Sequence, residues 1–183
     1  MREVSDPSAL FLSEREEAVP GCAVHCALEG SRPVLVEVQA LVCPTAFGMP
    51  RRMSAGVDYN RMLLLLAVLE KKLGLRLGDQ DVYVNVAGGL KLEDRAADLA
   101  VAAAVVSSLR NIPLPWGTVC LGEMGLTGEI RPVSGVEKRI GECAKLGFTR
   151  LVLPRSNAPM ERAALRIESV RTAQDALRAL FPG

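Results

Sequence analysis

The sequence lacks long apolar runs, aromatic side chains and a strong net charge. Its longest uninterrupted apolar runs, residues 62–69 and 99–106, are far shorter than the roughly 20 residues of a membrane-spanning helix. Only 4% of the residues are aromatic, and 22 Lys and Arg nearly balance 21 Asp and Glu. The short apolar runs exclude membrane insertion. The near-zero net charge argues against a dedicated nucleic-acid coat protein, which would have a strong electrostatic field over its whole surface.

The sequence motifs of several common enzymes are also missing. There is no G-x-x-x-x-G-K-[ST] phosphate-binding loop, no G-x-G-x-x-G dinucleotide motif after a strand and no H-E-x-x-H metal motif. His25 is the only histidine and no G-x-S-x-G elbow accompanies it, so a Ser-His-Asp triad has no support. We therefore expect neither an ATP site nor a nucleotide cofactor in this chain.

The five cysteines favour free thiols rather than disulfides. They are an odd number, and the start of the chain shows no pattern of a secretory signal, so we expect a reducing, cytoplasmic location. Cys22, His25 and Cys26 offer half of a conceivable metal site. In an extended segment, however, both thiols point to one face and His25 to the other, so we interpret the thiols as small core residues and expect no metal.

Hydrophobic residues make up 49% of the 183 residues and charged residues 23%, which is typical of one compact domain with an aliphatic core. We interpret residues 1–17 as a linker and residues 18–183 as the domain. Charge is uneven along it, because residues 127–183 contain 10 basic and 6 acidic residues.

The apolar periodicity predicts a mixed α/β domain, in which helices cover a sheet after an N-terminal β-hairpin. The hairpin is expected within residues 19–42, and residues 43–56 are expected to form an exposed, positively charged loop. Asp58 is expected to cap a helix that ends at Gly74. The remaining helices are predicted at residues 96–109, 136–146 and 172–180, and the remaining strands at 81–87, 118–121, 125–130, 150–153 and 165–170.

Several stretches together resemble a known family. They are residues 83–89 (YVNVAGG), 97–100 (ADLA) and 122–133 (GEMGLTGEIRPV), with further likeness at 2–8, 35–42, 48–52 and 58–61. This set resembles the Lon-protease-like fold and, more closely, the C-terminal domain of the RadA (Sms) family of bacterial DNA-repair proteins. The resemblance implies a Lon-like α/β fold and places residues 1–17 in the segment that follows that family's ATPase domain.

The resemblance also implies that the protease chemistry is lost. Lon-type proteases use a Ser-Lys dyad, in which a lysine accepts the serine proton. The corresponding positions here hold Asp98 and Glu137, and Lys138 lies one residue further, which turns its side chain by about 100° on a helix. Ser107, Ser108 and Ser134 are interpreted as helix-surface, helix-end and turn residues. For the two carboxylates we favour capping and ion pairing over a metal-binding pair.

The family likeness also sets expectations about partners. It implies a six-membered ring and sequence-independent contact with DNA phosphates, with Arg51 and Arg52 as first candidates and Arg61 and Lys91 as second ones. Arg51 and Arg52 would alternatively pair with acidic residues of a neighbouring subunit. ATP and zinc are expected only in other domains of that family. Two further hypotheses are an active Lon-like peptidase with an unconventional nucleophile and a peptide-binding module that does not cleave.

Overall fold

A computed structural model describes Ser8, Leu12 and residues 17–159 and 165–183. Within these residues the strands are β1 (Cys22–Glu29), β2 (Arg32–Pro44), β3 (Arg52–Ala55), β4 (Gln80–Val86), β5 (Thr118–Cys120), β6 (Glu123–Met124), β7 (Ile130–Arg131), β8 (Arg150–Pro154) and β9 (Arg166–Val170). The helices are α1 (Tyr59–Leu73), α2 (Asp98–Arg110), α3 (Val136–Lys145) and α4 (Ala173–Leu180). The predicted mixed α/β class is confirmed.

Seven strands form one mixed sheet in the order β3-β4-β2-β1-β5-β8-β9. The predicted hairpin is present, since β1 and β2 pair antiparallel from Cys22–Gln39 to Glu29–Arg32. Strand β4 continues the antiparallel half, whereas β3 and the run β1-β5-β8-β9 pair in parallel. Strand β1 therefore joins an antiparallel half to a parallel half of the sheet.

Helices α1, α2 and α4 share one large core with one face of the sheet. Helix α2 is rich in alanine and valine and is apolar on most sides, so it can pack deeply against the strands. Helix α1 begins as predicted at Asp58, whose side chain accepts the N–H of Arg61, and ends at Gly74 in the left-handed conformation. Thr172 caps α4 through a reciprocal capping box with Asp175, also as predicted.

Helix α3 covers part of the opposite face, over β1, β5, β8 and the first half of β2. A second core lies beneath it, which includes Cys26, Leu35, Cys143 and Leu151. The buried hydroxyl of Ser8 accepts the N–H of Leu35 at 2.9 Å. The rest of the predicted linker, apart from Leu12 and Glu17, lies outside the described residues.

Two predicted elements were wrong. Residues 43–56 are not one exposed loop, because β2 runs on to Pro44 and Arg52–Ala55 form β3, a parallel edge strand on β4. Residues 125–130 are not a strand but mostly the turn between β6 and β7, where the Gly125 carbonyl accepts the N–H of Gly128. None of the described helices has the length and apolar character needed to cross a bilayer.

Candidate functional site

A groove of about 640 Å³ lies between the start of α1 and the start of α2. Of the six residues singled out from the sequence, Arg61, Lys91 and Asp98 line it, whereas Arg51, Arg52 and Glu137 do not. The other charged residues along the groove are Asp58, Glu93, Asp94 and Arg95. Four of these seven charged side chains are acidic, so the groove is not a uniformly basic surface.

Asp98, the first residue of α2, is held in an ion pair with Arg61 of α1. The Nε of Arg61 donates to Oδ1 of Asp98 at 3.0 Å, and an Nη2 of the same guanidinium donates to Oδ2 and, at 2.7 Å, to the carbonyl of Met124. The N–H of Met124 donates to Oδ2 of Asp98 at 3.0 Å. Both carboxylate oxygens thus have partners, and the side chain is only 4% exposed. The predicted ion pairing is therefore found, whereas the predicted capping is not, because Ala97 is the N-cap residue of α2 and no described side chain caps this helix.

These contacts also determine the charge state of the pair. Burial raises the pKa of the Asp98 carboxyl above its usual value, and the Arg61 guanidinium and the Met124 N–H oppose that rise. The hydrogen bonds to Asp98 raise the pKa of Arg61. Both oxygens of Asp98 accept hydrogen bonds from N–H donors and Arg61 lies against them, which is the geometry of a carboxylate paired with a guanidinium.

Glu137 lies in the first turn of α3 and is exposed, away from the groove. Among the described residues it has no hydrogen-bond or ion-pair partner, so the pairing predicted for it is not found. The charged residue of this helix that points inward is Arg139, which is fully buried. Asp98 and Glu137 therefore do not form a pair of carboxylates around a common ligand.

Arg139 and Asp94 form a second ion pair that the sequence analysis missed. Arg139 donates to Oδ2 of Asp94 at 2.7 Å, to the Cys26 carbonyl at 2.6 Å and to the Ser134 carbonyl at 2.9 Å. Asp94 also accepts the N–H of Ala96 at 3.0 Å, just ahead of α2. The pattern of α3 contains a signal for this, because position 139 falls within the apolar stripe of Val136, Ile140 and Cys143.

The two adjacent arginines at the sheet edge differ from each other. The guanidinium of Arg52 donates to the backbone carbonyls of Gln80 and, at 2.8 Å, Leu77, and is therefore engaged within the domain. Arg51 is exposed, and its backbone N–H donates to Oδ1 of Asp81 at 2.7 Å. Only Arg51 of the two presents a free side chain to a partner.

None of the three serines named above is a surface nucleophile at the groove. Ser107, predicted on the helix surface, is fully buried, and its hydroxyl accepts the N–H of Gly21 and donates to the Ile112 carbonyl at 2.5 Å. Ser108 accepts the N–H of Val42 at 2.9 Å, and Ser134 is in an exposed turn. Ser107 and Ser108 thus fix α2 to the strands and the next loop.

His25 points away from the Cys26 side, as predicted, and is fully buried. Its Nδ1 lies 3.0 Å from the Cys120 carbonyl, which can only accept, so Nδ1 carries the proton. Burial lowers the pKa of His25 to about 4, so the ring is neutral at pH 7. Within the described part of the chain, no three His, Cys, Asp or Glu residues lie close enough together to hold a metal ion.

Comparisons with known proteins give two findings. A family model described as subunit ChlI of Mg-chelatase matches residues 64–157, just over half of the chain. Proteins called DNA repair protein RadA are 50% identical over 97% of the chain in Halalkalibacterium halodurans, 50% over 99% in Pseudomonas aeruginosa and 49% over 97% in Escherichia coli. The chain spans about 40% of the length of these relatives and matches their C-terminal part.

Proposed function

The chain belongs to the family described as subunit ChlI of Mg-chelatase and resembles the C-terminal part of RadA DNA repair proteins over nearly its whole length, and we propose that it is a non-proteolytic scaffold that forms a ring and faces DNA. The motor that would drive branch migration with ATP, and any zinc, belong to regions of RadA-type proteins outside the part matched here. We place its action in the cytoplasm, where bacterial DNA is repaired.

The Arg61–Asp98 ion pair is the observation that carries the non-proteolytic part of this proposal. The Lon-like resemblance places the nucleophile at Asp98, and both oxygens of this carboxylate are already occupied by Arg61 and Met124. A nucleophile needs a free lone pair and a base within hydrogen-bond reach. Glu137, at the position of the base, is exposed and outside the groove. The groove therefore lacks both parts of a dyad.

We further propose that the fold is of the Lon-protease-like type. The antiparallel hairpin, the capped helix α1 and the buried helix α2 occur in the order that the resemblance implies. A ring of such domains would repeat one contact between two different patches around an axis. The active-peptidase hypothesis has no support from a free nucleophile at the groove.

Contact with DNA is proposed through exposed arginines of the basic C-terminal part. Arg155 follows β8 and Arg171 follows β9. The register pairs the preceding residues, Pro154 and Val170, so the two arginines are neighbours at the carboxyl ends of these parallel strands. Both are exposed, and no described carboxylate pairs with either side chain. Arginines at adjacent strand ends suit backbone phosphates, whose contacts carry no sequence information. Lys91 and Arg51 are the other named candidates with free side chains.

Incubation with unfolded casein tests the non-proteolytic part. We expect no fragments above the buffer control, with or without ATP. A matched variant, Asp98→Asn, keeps the shape of the side chain and should be equally silent. Cleavage by the wild type that disappears in Ser107→Ala, Ser108→Ala or Ser134→Ala would overturn this part of the proposal, and a catalytically silent domain that binds DNA would support it.

A further inference from the structure

The second face of the sheet is covered by α3 over only part of its width. At the other end, the register aligns Leu41 of β2, Tyr83 of β4 and Met53 of β3 in one cross-strand row. Leu41 is 61% exposed and Met53 59% exposed, while the β2–β3 loop beside them presents Phe47 at 92% and Met49 at 87%. We call these five residues the bare face.

The bare face has the composition of a protein interface. Phe, Met and Tyr are enriched at the centres of such interfaces, and so is Arg, which is present as Arg51 two residues before Met53. An antiparallel pair such as β2 and β4 can leave one face to solvent, but that face is then normally polar. Contiguous exposed apolar groups on it therefore mark a contact site. An apolar row is unsuited to DNA phosphates, which require charged or hydrogen-bonding groups.

In the described part of the chain, no strand pairs with the outer side of the sheet beside this face. Strand β3 pairs with β4 and is the last strand in the sheet order on that side. Its outer backbone N–H and C=O groups can therefore form hydrogen bonds with a second protein chain. A shallow groove of about 320 Å³, bounded by residues 19–22, Leu41 and Tyr83, borders the row on its other side. The bare face thus combines exposed apolar side chains with a shallow groove beside them.

A complementary surface lies on the opposite side of the sheet. The large groove between α1 and α2 is lined by Leu64, which is 42% exposed, and by the exposed carboxylate of Glu93. Glu93 has no ion-pair partner among the described residues, and neither does Arg51, which lies beside the bare face. A head-to-tail contact requires two different patches that face away from each other on one protomer. These two surfaces meet that requirement, and each carries a side chain, Arg51 or Glu93, that is unpaired among the described residues and opposite in charge to the other.

We infer that the bare face of one copy packs on the groove of a second copy, with Arg51 of the first facing Glu93 of the second. This inference rests on the ring proposed above and specifies its contact. It places Arg51 and Lys91 at the subunit boundary and leaves Arg155 and Arg171 for DNA. The seated neighbour would also fill the groove, which gives that cleft a use without proteolysis.

Sedimentation velocity at tens of micromolar tests the apolar part of the contact. We expect the wild type to assemble, and Leu41→Gln combined with Met53→Gln to sediment as a monomer. The matched control, Leu41→Met with Met53→Leu, keeps the apolar surface and should assemble. Phe47→Ser with Met49→Ser changes only a highly exposed loop, cannot act through misfolding and should weaken assembly at least tenfold. Unchanged mass in both polar variants would overturn the inference while leaving the ring itself intact.

A charge swap tests the groove as the partner surface. Arg51→Glu and Glu93→Arg should each weaken assembly about tenfold, and the combined variant should recover it, because every contact in the ring then contains the reversed pair. Weakened assembly without recovery would show that the groove is not the partner surface of the bare face. A wild-type ring whose groove still binds an added unfolded peptide would show the same. A wild type that stays monomeric would instead remove the proposed ring and this contact together.

Discussion

Arg61 and Asp98 bring the first turns of two helices together, with the guanidinium on both carboxylate oxygens and on the Met124 carbonyl. The pair thus ties α1, α2 and the β6–β7 hairpin at one point. Residues 37 positions apart in the chain make this contact, and it holds the Asp98 carboxylate in place where the family likeness puts a nucleophile.

Removing one partner of this pair should destabilise the domain strongly. In Arg61→Met the Asp98 carboxylate stays buried without its counter-charge, and the free energy of unfolding in urea should fall by about 3 kcal/mol. Asp98→Asn keeps a hydrogen-bonding group and should cost less. The double variant Arg61→Met with Asp98→Leu should recover most of the loss, since it buries no charge. A single variant as stable as the wild type would show that the pair is not formed in solution.

The salt dependence of DNA binding should identify the phosphate contacts. Replacing Arg155 and Arg171 by alanine should reduce the slope of log K against log salt by about 2, equally for different DNA sequences. Sedimentation should show an unchanged mass. Arg51→Ala is the matched control, in which we expect weaker assembly before any change of slope. If only Arg51→Ala reduced the slope of log K against log salt, the DNA contact would lie at the β3 edge of the sheet instead.

Arg52→Ala, in contrast, should affect stability rather than DNA binding. Its guanidinium bonds to the Leu77 and Gln80 carbonyls, which would lose their partners at the edge of the domain. A loss of about 1 kcal/mol in urea unfolding is expected. Arg51→Ala again serves as the control, because its exposed side chain has no such bonds. At protein concentrations at which both proteins are monomeric, it should unfold like the wild type.

His25 should make the domain less stable in mildly acidic solution. Its pKa of about 4 in the folded state is lower than the ordinary value of 6.5, so the unfolded chain binds the proton more tightly between these values. Stability should therefore fall by about 2 kcal/mol as the pH drops from 7.5 to 5. His25 is the only histidine, so His25→Gln should remove the slope over this range. An unchanged slope in that variant would refute the assignment.

The cysteines should differ sharply in reactivity. Burial raises the pKa of the Cys120 thiol to about 12. The hydrogen bond with Cys26, together with burial, raises the pKa of the Cys143 thiol. Only Cys22 and Cys43 are partly accessible. Titration with a thiol reagent at pH 8 should therefore detect two fast groups in the native protein and five in urea. More than two fast groups would indicate local opening around α3.

The sequence predicted those parts of the fold in which a local pattern decides the structure. Alternation defines the β1–β2 hairpin, and the cap at Asp58 with the stop at Gly74 defines α1. Strand β3 was missed because its four residues acquire their conformation from pairing with β4, which lies about 30 positions later. Residues 125–130 were misread because their two apolar residues, Leu126 and Ile130, are separated by polar residues and glycine, and so short a stretch has no period that distinguishes a turn from a strand.

The site was predictable only in its residue types. The family likeness led to Asp98 and Arg61, and the structure shows that they bind each other. Nothing in a charge doublet distinguishes Arg51 from Arg52, since the difference arises from carbonyls at Leu77 and Gln80 that come close only in the folded sheet. The Arg139–Asp94 pair spans 45 positions and likewise depends on tertiary contact, although a charged residue within an apolar helix stripe could have drawn attention to it.

The position of β1 between the two halves of the sheet has a consequence for how the chain folds. One edge of β1 pairs with β2 across a tight turn, while the other pairs Val24 with Val119, nearly a hundred residues away. Local pairing forms early and distant parallel pairing late, because closing the long loop costs entropy before any contact repays it. During synthesis the hairpin would thus emerge with the backbone N–H and C=O groups on one edge of β1 unpaired. Pairing of β5 with that edge would be the step that limits the rate of folding.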